Sequence, residues 1–483
     1  MEADAHTRYD GYVNPLVARY ASRDMSWIFS PQYKFQTWRQ LWVALAEAEA
    51  EEGIHISEAQ LDELRAHVED INFAVAEAYE KELRHDVMAH IHAYGEQCPQ
   101  ARGIIHLGAT SAFVGDNTDL IQMRAGLHLI RARLVNVMAA LAQFAAANRD
   151  VVTLGYTHFQ PAQLTTVGRR AVLWLQDLVF DLEDLEHCLD TLHFRGAKGA
   201  TGTQASFLHL CNNDGEKVKR IDQRIATKMG FRQTLPVTGQ TYPRKYDSRV
   251  LNVLSGIAQS AHKFSNDMRL LQSVGEMEEP FGHNQVGSST MAYKRNPMRS
   301  ERMAALARHV ICTSLNPAFT AASQWFERTI DDSANKRLSI PEAFLATDSA
   351  LILYHEIARG MVVYPAIMAK RVAEFLPFLA AENLMLDGVK AAGDRQDLHE
   401  QIRQHAMASW HHMRVEGGGN DLLQRLQSDP SFAPFRAMLA DKPEAQDYIG
   451  RSQAQVDDFL AQVYEPIQER YEALLGQTVA TRV

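Results

Sequence analysis

Cysteine is scarce in the 483-residue chain: Cys98, Cys188, Cys211 and Cys312 stand apart, with no CxxC pair among them. That excludes a disulfide framework and a zinc knot and fits a reducing compartment. Long apolar runs are also missing. Nowhere do eighteen consecutive apolar residues occur, and the opening MEADAHTRYDGY has no apolar stretch of the kind a signal peptide carries. Secretion and membrane spanning therefore lack support, and the expected location is cytoplasmic. Positive charge is in deficit, with 49 Lys and Arg against 59 Asp and Glu and a formal net charge of -10. Such a chain is not built to neutralise a nucleic-acid backbone, so any anion it binds must meet a local basic patch. Strand signals are sparse, VVT at Val151 to Thr153 being the sort of short piece left over. The orders GxxxxGK[ST], HExxH and GxSxG are absent, which argues against a phosphate loop, a metalloprotease helix and a hydrolase elbow.

What the chain has in quantity is helical periodicity. Leu120, Met123, Leu127, Ile130, Leu134, Val137, Leu141 and Phe144 step by 3 and 4 residues without interruption. A second seam runs Leu175, Leu178, Leu182, Leu185, Leu189, Leu192, and a third Val250, Leu254, Ile257, Ala261, Phe264, Met268, Leu271. Seams of this length predict helices of roughly 25 to 30 residues and an all-α bundle. Two further helices are expected at Ser300 to Ala322 and Ile340 to Val363. Leu129, Val135 and Met138 lie off the first seam and add more apolar surface than one antiparallel neighbour covers, so subunit association is expected. Apolar residues are 46% of the chain and charged residues 22%, an ordinary globular balance. Its length exceeds what one core supports, and three regions are expected. Residues 1–110 form a helical cap in which Trp38, Leu41, Trp42 and Leu45 share a face. Residues 111–363 hold the long helices, and residues 364–483 hold shorter helices punctuated by AAGDRQ and EGGGND.

Between the helices lie polar loops: GATS at Gly108 to Ser111, GYTHFQPAQLTTVGRR at Gly155 to Arg170, GATGTQAS at Gly199 to Ser206 and TGQTYPR at Thr238 to Arg244. Each offers hydroxyls, amides and backbone donors near a helix start, and each taken singly reads equally as a cap or turn. RHDVMAHIH, with His85, His90 and His92, lacks metal-ligand spacing. His158 precedes an X-Pro element that fixes its loop, and histidine is a side chain suited to proton transfer. VGSSTMAYKRNPMRSE, from Val286 to Glu301, interrupts the helical pattern with glycine, serines and Lys294, Arg295 and Arg299. There a serine oxygen, backbone donors and an ammonium group are suited to stabilising negative charge.

GSSTMAYKRNP resembles the signature loop of the fumarase/aspartase superfamily, commonly GSSxMPxKxNP. With THFQPAQLTTVGRR, RHDVMAHIH, GATS, TGQTY and WFERTIDDSANKR, the resemblance narrows to the adenylosuccinate lyase family in its animal-type form, from about Arg19 to Glu400. It implies a homotetramer of all-α, three-domain subunits with a pooled central helical bundle and active sites shared between chains. It also implies cleavage of adenylosuccinate to AMP, and of succinyl-aminoimidazole-carboxamide ribotide (SAICAR) to AICAR, by β-elimination of fumarate in purine nucleotide synthesis, with no metal and no cofactor. In that family's pattern Ser288 is the general base, His158 the general acid, and Glu301 orients His158. Lys294 and Asn296 hold the succinyl carboxylates, and Ser289, Thr110, Ser111 and Gln240 add neutral hydrogen bonds. Arg19, Tyr20, Arg302, Arg328, Ser333 and Arg337 contact the nucleotide. Arg84, His85 and Asp86 form another binding segment, with His85 near the phosphate and the catalytic histidine. One departure stands out, Ala292 where the motif usually has proline, which leaves the loop freer. The competing expectations are another fumarate-releasing lyase, such as argininosuccinate lyase, and a non-catalytic scaffold of the same fold.

Overall fold

The computed structural model describes residues 10–439 and 443–479. Its first long helix, α1 (Pro31–Glu51), starts where Ser30 accepts the Tyr33 N–H and Pro31 takes the first helical position, the place where a missing donor costs nothing. Trp38, Leu41, Trp42 and Leu45 are all buried, as their spacing predicts. Three shorter helices follow, α2 (Glu58–Ala66), α3 (Phe73–Leu83) and α4 (Asp86–Gln97).

The bundle is built from α5 (Ser111–Ala147), α6 (Val167–Asp190), α8 (Lys245–Ser273), α9 (Met298–Thr313) and α11 (Asp331–Gly360), with α7 (Gly215–Lys228) packed against α1 and α10 (Leu315–Ser323) against α8. Every residue of the first seam from Leu120 to Leu141 is 0% exposed. At 1.5 Å per residue the 37 residues of α5 span about 55 Å. Its most apolar 18-residue window is 72% buried, so that apolarity forms protein core.

Four local expectations are corrected. Val135 and Met138 are buried within the chain itself; the terminal segment folds back over this side of α5, where Asn136 donates to the Leu474 carbonyl at 2.8 Å. The helix expected over Ser300 to Ala322 breaks at Ser314 into α9 and α10, because Pro317 has no N–H and its ring crowds the carbonyl four residues back. The helix expected at Ile340 starts earlier, at Asp331, and ends at Gly360, and Val362–Val363 instead pairs with Met277–Glu278. The loop after Val151 is an antiparallel hairpin of β1 (Val152–Thr157) and β2 (Gln160–Thr166), with a bulge at Gly155 and Tyr156. Beyond the bundle, α12 (Pro365–Lys390) packs on this hairpin and α13 (Arg395–Val415) on α12. Val456, Tyr464 and Tyr471 rejoin the main core.

Candidate functional site

The candidate residues gather at the two ends of the bundle. At the end where α5 begins, Arg84 takes a left-handed conformation (φ 54°) and turns the chain from α3 into α4. His85 caps α4, its Nδ1 accepting the Met88 N–H at 3.3 Å. That bond leaves the ring proton on Nε2, which lies 3.3 Å from the Ser111 hydroxyl. Thr110 occupies the N-cap of α5, yet its hydroxyl makes no cap bond and is buried without a partner. Asp86 pairs with Arg337 at 3.1 Å. Arg328 donates to the Gln240 side chain at 2.7 Å. That last contact depends on Gly239: a side chain there would stand 2.5 Å from the Glu327 carbonyl, and the close approach lets the Gln240 N–H bond that same carbonyl at 3.0 Å.

Beside these groups lies a cleft of about 200 Å³, open to solvent, lined in part by Asp86, Ser111, Arg328, Ser333 and Arg337. Beneath it lies a buried layer of charge. Arg244 is 3.0 Å from Asp116 and 2.6 Å from Asp332, and Lys336 is 2.5 Å from Asp119 and 3.4 Å from Asp116. Burial alone pushes the Asp116 carboxyl up, but Arg244, Lys336 and Arg195 outweigh it and hold the group at about 2.

The other end carries the hairpin and the signature loop. His158 and Phe159 are the two-residue turn between β1 and β2, both left-handed (φ 53° and 58°). This is the hairpin geometry that normally takes Asn-Gly, and imposing it on His and Phe costs on the order of 1 kcal/mol per residue, the kind of strain that clusters at working sites. His158 is exposed. In the loop, Ser288 Oγ accepts the N–H groups of Thr290 at 3.3 Å and Met291 at 3.1 Å. Gly287 has no room for a side chain, since a Cβ would sit 2.1 Å from the Lys294 carbonyl. Asn296 closes the loop by donating to the Gly287 carbonyl at 2.7 Å. Ser289, Lys294 and Glu301 are exposed. The loop is fastened at its foot by Gln272, which donates to the Arg295 carbonyl, and by Glu279, which accepts from the N–H groups of Arg299 and Ser300.

Comparison with known proteins gives the family of the chain. Residues 22–312 match the family model described as Lyase, and residues 377–459 match Adenylosuccinate lyase C-terminus. The adenylosuccinate lyase of Saccharomyces cerevisiae is 48% identical over 94% of both chains, and that of Schistosoma mansoni is 44% identical over 97% of this chain and 98% of its own. The chain belongs to the adenylosuccinate lyase family. A solved fumarate lyase from Mesorhizobium sp. BNC1 shares the fold, with a TM-score of 0.80 at 23% identity over 94% of this chain and 100% of its own.

For a member of the adenylosuccinate lyase family, the placement of the residues expected to act together is informative. His85, Asp86, Thr110, Ser111, Gln240, Arg328, Ser333 and Arg337 share one end, with Arg84 exposed beside them. His158, Ser288, Ser289, Lys294, Asn296 and Glu301 lie at the other. The Arg302 guanidinium lies over the Tyr20 ring at 5.8 Å, next to an exposed Arg19. Within one chain the length of α5 separates Ser111 from the hairpin, so the two groups cannot meet. His90 stacks on Phe35 and His92 on Tyr79; burial, with Arg39 and Lys34 nearby, lowers the His90 imidazole to about 4.

Sequence reasoning missed several cleft residues: Lys34, Trp38, Asp116, Asp119 and Lys336. Helical spacing was the available signal. Ser333, Lys336, Arg337 and Ile340 follow i, i+3, i+4, i+7 and all line the cleft, as do Ser111, Gly115, Asp119 and Gln122 along α5.

Proposed function

We propose that this chain cleaves adenylosuccinate to AMP and fumarate, and SAICAR to AICAR and fumarate, in purine nucleotide synthesis, as a homotetramer whose sites combine the two ends of different chains. The observation that carries the shared site is the separation of about 55 Å along α5 between the two sets of candidate residues. Exposed apolar residues on the bundle helices support association: Leu173 and Phe180 stand seven residues apart on α6, 46% and 55% exposed. The free thiols of Cys98, Cys188, Cys211 and Cys312 fit the cytoplasmic location expected of such an enzyme.

In the reaction Ser288 Oγ, as its alkoxide, takes the proton from the carbon next to a succinyl carboxylate and becomes a hydroxyl. Its two accepted backbone N–H bonds stabilise the serine oxygen as a base. Charge spreads onto that carboxylate, held by Lys294 and Asn296 with Ser289, Thr110, Ser111 and Gln240. The carbon–nitrogen bond then breaks, its electron pair leaves with nitrogen, and His158, oriented by Glu301, supplies the proton that nitrogen needs. Arg19, Tyr20, Arg302, Arg328, Ser333 and Arg337 hold the nucleotide, the guanidinium forks being suited to phosphate. His85, its Nε2–H facing the cleft side of Ser111, completes the anion-binding end.

The test is fumarate release by the purified protein from adenylosuccinate and, separately, from argininosuccinate. Release from the first alone is expected. Release from the second alone points to the sister activity, and release from neither to a scaffold. His158→Ala and Ser288→Ala each nearly abolish turnover with helicity and oligomer size intact. Mixing inactive His85→Gln and Ser288→Ala chains restores roughly a quarter of the activity, the chance that both contributing chains are intact at a site; no recovery refutes sharing.

A further inference from the structure

Lys34 lines the cleft on the first turn of α1, yet none of the roles above uses it. Its ammonium lies 4.9 Å from the Phe35 ring centre and 5.0 Å from that of Trp38. Among the described residues it forms no ion pair, because the acidic groups around it are engaged elsewhere: Asp119 with Lys336 at 2.5 Å, Asp86 with Arg337 at 3.1 Å, and Asp116 with Arg244 at 3.0 Å. Among the described residues Arg328, which also lines the cleft, bonds only the neutral Gln240 side chain. The cleft therefore holds two cations, Lys34 and Arg328, with no carboxylate of their own. Burial, and then the charge of Arg337, push the Lys34 ammonium below its usual range against the opposing pull of Asp119 and Asp86. On the same wall the Trp38 indole N–H is buried and has no acceptor.

An unpaired, half-desolvated ammonium among other cations is stabilised by whatever anion enters, and a doubly charged phosphate satisfies two such groups at once. A cation–π contact alone is a weak substitute for a carboxylate partner. We propose that Lys34 is a phosphate-binding residue of the substrate cleft, so that an N-terminal helix selects nucleotide over nucleoside. The inference rests on the lyase reading above and assigns one more residue to it.

The experiment compares wild type, Lys34→Met and Lys34→Arg on adenylosuccinate and on its dephosphorylated nucleoside, with titration of inorganic phosphate into each protein as a measurement that needs no turnover. For Lys34→Met we expect KM for the nucleotide to rise about tenfold or more with kcat nearly unchanged, and kcat/KM for the nucleoside to stay at the wild-type value. Phosphate affinity falls in parallel, Lys34→Arg recovers part of the loss, and oligomer size does not move. Equal losses on both substrates, an unchanged KM for the nucleotide, or undiminished phosphate binding would overturn the proposal. A wild type that releases no fumarate but loses phosphate affinity through Lys34→Met sinks the lyase reading and leaves the phosphate contact standing.

Discussion

Arg244 and Asp332 form an ion pair of 2.6 Å in which the guanidinium side chain is 1% exposed and the carboxylate 0%. The contact is close but out of line for a hydrogen bond, so it is held by charge and by the second partner, Asp116. This pair joins the start of α8 to the start of α11, the helix that carries Ser333, Lys336 and Arg337. Arg244→Met takes the guanidinium partner from Asp332 and leaves Asp116 with Lys336 and the Tyr242 N–H, and should cost about 3–5 kcal/mol, read by denaturant unfolding at neutral pH. The pH dependence has a definite sign. Asp116 is held at about 2 against an ordinary 3.8, so its stabilisation is complete above the ordinary value and fades as pH falls toward 2. The gap between variant and wild type should shrink over that window; a constant gap would mean that Asp116 is not part of it.

Gly287 is required by the Lys294 carbonyl, which a Cβ would meet at 2.1 Å. Gly287→Ala therefore forces the loop open at the residue before Ser288. We expect kcat to fall by about a hundredfold, the usual consequence of an ångström-scale misplacement, while circular dichroism and oligomer size are unaltered. Activity near wild type would show that the loop tolerates the shift.

Ala292 occupies the second position of a turn closed by the Lys294 N–H on the Met291 carbonyl at 3.1 Å. Proline suits that position, and restoring it removes freedom from the open loop. Ala292→Pro should slow proteolysis between Val286 and Arg295 in the free enzyme and add up to about 1 kcal/mol of stability. Unchanged cleavage would mean that Ala292 does not govern the mobility of the loop.

Glu49 is 0% exposed and neither carboxyl oxygen has a hydrogen-bond partner among the described residues. Burial pushes its carboxyl up to about 8 from an ordinary 4.5. Between those values the folded chain keeps a proton that the unfolded chain has lost, so stability declines as pH rises through the window. The loss reaches roughly 3 kcal/mol near neutrality. Glu49→Gln should abolish this slope, making the variant gain on wild type from pH 5 to pH 8 in thermal midpoints. Parallel curves would show that Glu49 is ionised and paired in the folded protein.

The three heptad seams determined the bundle, because an apolar residue every three or four positions buries one helical face whatever its neighbours are, and Leu120 to Leu141 are buried accordingly. The loop motif likewise determined the family, since Gly287 and Asn296 are tied to their neighbours in sequence. The hairpin at His158 was not legible. Its turn has neither Asn nor Gly, and only the pairing of Val152 with Thr166 and of Thr157 with Gln160 imposes the left-handed backbone. The break at Ser314 was written in Pro317. Tertiary structure alone decided which charges meet. Asp116 and Arg244 are 128 residues apart in sequence, Lys336 and Asp119 are 217 apart, and no local pattern encodes a partner at that distance. Tertiary structure also set His85 and Ser288 at opposite ends of α5. Periodicity fixes which side of a helix is buried, whereas the length of the helix and the order in which the chain returns along it fix what each end carries.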